Sequence, residues 1–514
     1  MWDRWRRWNS PVMENIGGFR RFPQMGEGRR PGIRVHRPMP YMEGRSQLDR
    51  GAAGLDALEA RRNGFAQMKN RISLTAMFFA LCLPGTALAA PSLEFNVQTH
   101  QLTNGMKLLL LEDHGIPNVA MHLFYRVGAR NERPGITGLS HFFEHMMFNG
   151  AKRFGPGMFD RVMENNGGAN NAFTSEDMTA YQDWFPTAAM PLIFELEADR
   201  IVSLGFEPKM VESERGVVAN ERRLSVDNRN ESLLQEQLVA SAFTAHPYGW
   251  PVLGWASDIE GWKREDLIQY FKTYYAPNNC VVIVVGHFEP AEVVKLAKAH
   301  LEPIPPQPAP APVTTREPEQ LGERRIQVQK FAQLPIVQVG YHSPAAQDPD
   351  FTPMSVLESI LLRGQSARLY KRLVDREQVA NSVGGGQSPH IDPFLFEFAI
   401  QPRSGVETAK VEQILYEELD RVRQELVSEQ ELQKAKNAAL SDFYQSMKTI
   451  RDKANQIGYY EILFGDYRRL FSQVDLIGGV TREDIRRVAQ KYFAQKNRTV
   501  AVLVPEKQTA EPAK

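Results

Sequence analysis

The sequence predicts an α+β protein of two homologous domains, each a mixed or antiparallel sheet backed by helices, joined by a proline-rich linker. Three observations predict it. Short Val- and Leu-rich runs alternate with longer amphipathic segments. The stretch Pro303 to Pro318 (PIPPQPAPAPVTTREP) can continue neither a helix nor a central strand and reads as an extended linker. The chain on either side of it repeats. Arg264-Glu265-Asp266-Leu267 leads to Tyr274-Tyr275-Ala276-Pro277-Asn278-Asn279 and a Val-rich strand, and Arg482-Glu483-Asp484-Ile485 leads to Tyr492-Phe493-Ala494-Gln495-Lys496-Asn497 and the strand TVAVLV, 218 residues later throughout. Pro117 and Val119 match Pro335 and Val337 at the same offset. The domains are expected at 95–302 and 326–505, with the linker at 303–325.

The elements follow in order. Met106 to Leu111 and Val119 to Val127 read as strands around a turn at Asp113-His114-Gly115. Gly138 to Phe148 reads as a helix with an apolar face, and Phe159 to Asn165 as another short one. Asn171 to Phe185 reads as two strands around an acidic turn. Helices are expected at Met190 to Ile201 and Pro208 to Asn228, and strand Val281 to Val285 closes the unit. Gly384-Gly385-Gly386 is expected to be a flexible loop, and without a following Lys-Ser/Thr it is no phosphate cradle.

The N-terminal part is of another kind. Residues 1–67 hold thirteen Arg, no Lys and seven acids, with no helix or strand period, so no packed fold is expected there. From Met68 the chain reads as a secretory signal over 68–89. Lys69 and Arg71 form the positive region, Leu74 to Leu83 the apolar core, and Ala87-Leu88-Ala89 the cleavage site. The apolar run is too short for a comfortable membrane span. Translation is accordingly expected to start at Met68, with a periplasmic or secreted mature protein and no stable membrane insertion. The formal charge of the whole chain is zero, which leaves 90–514 mildly acidic once the basic N-terminal part is set aside. That excludes a general affinity for nucleic acid or anionic membrane. Cys82 lies in the signal and Cys280 is the remaining thiol, read as a buried small hydrophobe, so no internal disulfide is expected.

The chemistry is carried by His141-Phe142-Phe143-Glu144-His145, an H-x-x-E-H pattern. On a helix, residues four apart share a face, so two imidazoles can reach one ion. Glu144 stands near that face and can deprotonate an attacking water without ligating the metal. Phe142 and Phe143 are expected to pack the helix into the core. Catalytic zinc takes three protein ligands and keeps one position open. The best source of the third is the acidic helix Val211 to Glu221, where Glu214 and Glu221 are seven apart and share a face. One can ligate while the other orients a histidine. His246, in a turn-like HPYG setting, is read as structural.

The run HFFEHMMFNGAK from His141, followed by Glu221, resembles the pitrilysin, insulin-degrading enzyme and mitochondrial processing peptidase family. Glu221 lies 76 residues after His145, the spacing of that family's ligand glutamate, and Glu214 matches its second glutamate seven residues earlier. The resemblance therefore implies one Zn²⁺ per chain on His141, His145 and Glu221, and a supporting place in the catalytic set for Glu214. It implies that Asn171, Ala172 and Phe173 lie on an edge strand where a peptide substrate adds as an extra strand. The implied activity is a zinc endopeptidase acting on extended peptides or unfolded segments, with Glu144 as general base. A non-catalytic scaffold or assembly subunit of the same fold is the alternative.

The sequence departs from the family pattern in its second half, which lacks the zinc motif, as the family expects, and also lacks an expected Arg/Tyr pair. In LVDREQVANSV (373–383), Val374 takes the Arg position and Asn381 the Tyr position. Losing an oxyanion donor typically costs roughly a hundred- to a thousandfold in rate. Either Arg372 or Arg376 substitutes locally, or this chain works as a homodimer, or as the zinc subunit of a heterodimer with a similar chain that carries the pair.

Overall fold

The computed structural model describes residues 94–506; the N-terminal segment 1–67 and the expected signal at 68–89 lie outside them. The first half contains β1 (Gln98–Gln101), β2 (Lys107–Glu112), β3 (Asn118–Tyr125), α1 (Leu139–Met146), α2 (Met158–Asn165), β4 (Ala169–Thr174) and β5 (Thr179–Pro186). It continues with α3 (Met190–Ser203), α4 (Pro208–Arg222), α5 (Asn230–Ala242), α6 (Ala256–Gly261), α7 (Arg264–Tyr274), β6 (Cys280–Gly286) and α8 (Pro290–His300). Residues 301–323 carry no helix or strand.

The second half contains β7 (Arg324–Lys330), β8 (Ile336–His342), α9 (Phe351–Leu362), β9 (Ala380–Gln387) and β10 (Leu395–Pro402). It ends with α10 (Thr408–Gln424), α11 (Glu429–Gln445), α12 (Ile450–Phe464), α13 (Gln473–Gly479), α14 (Arg482–Tyr492) and β11 (Arg498–Pro505).

The two sheets have one topology. The first runs β1-β2-β6-β3-β5-β4 and the second β7-β11-β8-β10-β9. Both are mixed, because β2 pairs parallel with β6 and β7 parallel with β11 while the other pairs are antiparallel. The 218-residue repeat thus extends to strand order: β2, β6 and β3 stand where β7, β11 and β8 stand.

Strand alternation explains the layers. Leu108, Leu110, Met121, Leu123, Val282 and Val284 bury one face of the first sheet beneath its own helices. Leu109, Ala120, Phe124, Ile283 and Val285 bury the other face, and their cover comes from the second half: Ala454, Ile457 and Tyr459 of α12. The exchange is mutual, since Leu234 and Leu238 of α5 pack on Ile336, Ala501 and Leu503 of the second sheet. Burying each such leucine contributes about 1.5–3 kcal/mol. Each half therefore completes the other's core, and the continuous apolar runs of these central strands reflect burial on both faces.

Polar contacts fasten the same interface. Arg130 pairs with Asp392, and Tyr248 Oη donates to Asp177 Oδ1 at 2.7 Å while Ile391 N donates to Asp177 Oδ2 at 3.0 Å. His390 Nε2 lies 3.2 Å from Glu176. His246 caps a short turn through Tyr248 N and reaches Asp392 at 3.2 Å, which is the structural role expected of it.

The triple glycine differs from expectation. Gly384 to Gly386 lie inside β9 and pair with Glu397 to Ala399 of β10. A Cβ on Gly385 would sit 2.0 Å from the Glu397 carbonyl oxygen, and its φ is 129°, so the strand needs glycine to close on its neighbour. A glycine run has low strand propensity, and tertiary pairing overrides it.

Candidate metal centre

Helix α1 is held from both ends. It starts at Gly138, whose φ of 87° suits glycine and where a Cβ would meet the Leu253 carbonyl oxygen at 2.5 Å. The helix N-terminus is capped by a side chain from outside it. Glu132 accepts from Gly138 N and Ser140 N, each at 2.7 Å. Burial pushes the Glu132 carboxyl up to about 8, against the pull of those two N–H donors. Near the other end, Tyr181 Oη donates to the Phe143 carbonyl at 3.0 Å. Phe142 and Phe143 are fully buried, the first against Trp262 and the second among Tyr270, Phe271 and Tyr275. With that face fixed inward, His141 and His145 turn toward α4.

Helix α4 is also anchored. Arg215 donates to the Ile259, Glu260 and Trp262 carbonyls at 2.7–2.9 Å. Arg222 is buried and bidentate on Glu236, at 2.8 and 2.9 Å. A π-helical turn, Arg223–Asp227, follows at once, where one unbroken helix to Asn228 was expected. Such turns are often found at functional sites.

These two helices bring the expected ligands together. One donor atom each from His141, His145 and Glu221 lies within 4.8 Å of the others, the only such trio among the described residues. Glu221 Oε2 is 3.7 Å from His141 Nε2 and 3.3 Å from His145 Nε2. Glu214 stands behind them. Its Oε1 is 2.8 Å from His145 Nδ1, and its Oε2 accepts from Asn149 Nδ2 at 2.6 Å. Glu144 is half-buried and makes no hydrogen bond or ion pair among the described residues, so its carboxylate is open to a solvent molecule.

Burial and the carboxylates set the charge of the two histidines. Burial works against charge on His145, yet the carboxylates of Glu214, Glu221 and Glu144 hold it protonated up to about 10. His141 is driven the other way, first by burial and then by His145. Glu214 and Glu221 stay ionised despite burial, through their bonds to His145 and, for Glu214, Asn149. Two imidazoles and a carboxylate, with a carboxylate on the far nitrogen of one histidine, form a donor set suited to zinc.

Asn171, Ala172 and Phe173 sit on β4, the edge strand, which among the described residues pairs only with β5. Asn171 is exposed and Ala172 half-buried. The Phe173 side chain turns into the interface between the halves, 7% exposed and stacked on Tyr459, so its backbone alone faces the free edge.

In the second half, Val374 lies in a π-helical turn, Tyr370–Arg376, and Asn381 donates to the Pro402 carbonyl at 3.4 Å. Arg372 is committed to Glu417 and Glu418 on α10. Arg376 is exposed and makes no hydrogen bond or ion pair among the described residues. Sequence reasoning passed over Glu132, Asn149, Tyr181 and the Arg222–Glu236 pair. Only Asn149 left a signal, its four-residue spacing from His145, although the helix ends at Met146 and Asn149 lies in the turn after it.

Known proteins resemble this chain across both halves. Residues 107–255 match the model described as Insulinase (Peptidase family M16), and 261–439 match the Peptidase M16 inactive domain. This chain belongs to the M16, or pitrilysin, family of peptidases. The inactive-domain match begins before the proline-rich segment, at the end of α6. The zinc protease PqqE of Helicobacter pylori is 28% identical over 431 residues, covering 82% of this chain and 96% of that one. A probable mitochondrial-processing peptidase subunit beta of Schizosaccharomyces pombe is 26% identical over 452 residues, covering 85% and 95%. The crystal structure of a protease from Helicobacter pylori superposes with a TM-score of 0.77 at 28% identity, covering 80% of this chain and all of that one. The M16 relatives are thus matched over most of their own length.

Proposed function

We propose that this chain is a zinc endopeptidase that takes extended peptides or unfolded segments, with Zn²⁺ on His141, His145 and Glu221. The observation that carries the reading is the meeting of those three donors beside an unpaired Glu144. A zinc ion held there supplies a Lewis acid that acidifies water and polarises a carbonyl. Glu144 takes a proton from the attacking water and returns it to the leaving amine. Glu214 accepts a hydrogen bond from His145 Nδ1–H, which in the neutral ring that binds zinc leaves the Nε2 lone pair facing the site beside Glu221. The free edge of β4 around Asn171 and Ala172 supplies main-chain bonds to the substrate strand.

What the second half lacks supports a partner. Arg372 is engaged elsewhere and positions 374 and 381 hold Val and Asn, which supports a companion chain of this fold as the source of an Arg/Tyr pair, with the exposed Arg376 as the local alternative. The signal at 68–89 supports a periplasmic or secreted location, and no helix among the described residues is long and apolar enough to cross a membrane. The test is Glu144→Gln, assayed alone and with a companion chain carrying the pair. Hydrolysis should fall by about 10²–10⁴-fold with zinc retained; unchanged hydrolysis would exclude Glu144 as the base.

A further inference from the structure

At the start of β3, the opposite end of that strand from the loop leading to the motif helix, two exposed imidazoles meet. His114 Nδ1 and His287 Nδ1 are 3.1 Å apart, with the rings at 83°. The sheet fixes their backbones. Asp113 N donates to the Gly286 carbonyl at 2.8 Å, His287 N to the Asn118 carbonyl at 2.9 Å, and Thr187 Oγ1 to the His287 carbonyl at 2.8 Å.

A third group completes the arrangement. Glu112 Oε2 lies 3.3 Å from His114 Nε2, and Gln98 Nε2 donates to Glu112 Oε1 at 3.3 Å. A carboxylate on the far nitrogen sets the tautomer in which Nδ1 presents its lone pair, the support metal-ligating histidines usually have. The separation also suits a shared ion. Two imidazoles bound at 2.0–2.1 Å place their nitrogens about 2.9 Å apart at a right angle and about 3.4 Å apart at the tetrahedral angle. The observed 3.1 Å falls between.

We propose that His114 and His287 form a second metal site, separate from the motif histidines, which takes a borderline divalent transition ion and leaves its other positions to water. Two neutral nitrogens favour Cu²⁺ over Zn²⁺ in the usual affinity order and reject hard cations, which want oxygen. Asp113 adds no oxygen to the site, because Lys453 and Gly115 N occupy its carboxylate. Binding displaces the one proton shared between the two Nδ1 atoms, which moves through solvent to His287 Nε2, so that both rings ligate as neutral imidazoles.

The test uses the full chain with its catalytic zinc in place, titrated with Cu²⁺ and read by equilibrium dialysis and electron paramagnetic resonance. Wild type should take up one equivalent more than His114→Ala or His287→Ala, with nitrogen coupling from two imidazoles that both variants lose. Glu112→Gln should weaken that equivalent about 10- to 100-fold, and Mg²⁺ should not compete. An unchanged metal-free melting temperature shows that the variants fold. Copper uptake and spectra identical in wild type, His114→Ala and His287→Ala would overturn the site. Peptide hydrolysis is not read, so failure here leaves the peptidase reading to its own test.

Discussion

Replacing Glu214 with alanine separates support of the metal from ligation of it. The carboxylate makes two short contacts, 2.8 Å to His145 Nδ1 and 2.6 Å to Asn149 Nδ2. Its loss frees the His145 ring to turn, so the nitrogen facing Glu221 is no longer pre-set. Removal of such a partner typically weakens metal binding about 10- to 100-fold, or about 1.4–2.8 kcal/mol. The same substitution strands the Asn149 amide, which costs the metal-free protein about 1–3 kcal/mol. Zinc affinity by competition with a chromophoric chelator reads the first effect, and urea unfolding of the metal-free protein reads the second. A zinc affinity within twofold of wild type would refute the claim that Glu214 orients His145, even if stability fell as expected.

Three further outcomes follow from the packing and charge. Burial raises the Glu397 carboxyl to about 7, against the bond from Gln235. The unfolded chain therefore ionises first as pH rises, and stability falls between about pH 4.5 and 7 by at most about 3 kcal/mol. Glu397→Gln should remove that slope in urea melts at pH 5 and 8, matching wild type near pH 4 and exceeding it at pH 8; parallel pH profiles would contradict it. Gly138→Ala should destabilise by about 1–3 kcal/mol and loosen zinc, because the new Cβ meets the Leu253 carbonyl at a left-handed φ; a melting temperature equal to wild type would show that the turn relaxes freely. Phe143→Ala should cost about 3–5 kcal/mol by denaturant titration, since the ring is fully buried among Tyr270, Phe271 and Tyr275; a loss under 1 kcal/mol would place the anchoring of α1 elsewhere.

The proposed ligand pairs were legible because helical spacing is local. His141 and His145 share a face by the pitch of the helix alone, and Glu214 and Glu221 do so on α4. The pairing of the two helices came from resemblance, because no local pattern says which acidic helix faces which histidines. The duplication was legible too, as Arg264 and Arg482 begin equivalent helices α7 and α14. What escaped reading depends on contacts between distant parts. Glu132 caps α1 through a carboxylate outside the helix. Gly384 to Gly386 form a strand through pairing with β10, which comes too close at Gly385 for a side chain. The exchange of α5 and α12 between the halves is written only as apolar helix faces, which any sheet could cover. Phe173 shows the limit from the other side: resemblance implied its position on the edge, and only the packed second half shows that its ring points inward.

The measurement that bears most directly on the account is zinc content beside peptide cleavage in wild type, Glu221→Gln and Glu144→Gln, each paired with a companion chain and dialysed against a weak chelator that strips surface sites. One tightly held zinc per chain is predicted in wild type and in Glu144→Gln, with cleavage in wild type alone, and a large loss of zinc in Glu221→Gln. Full zinc in Glu221→Gln, or no tightly held zinc in wild type, would contradict it.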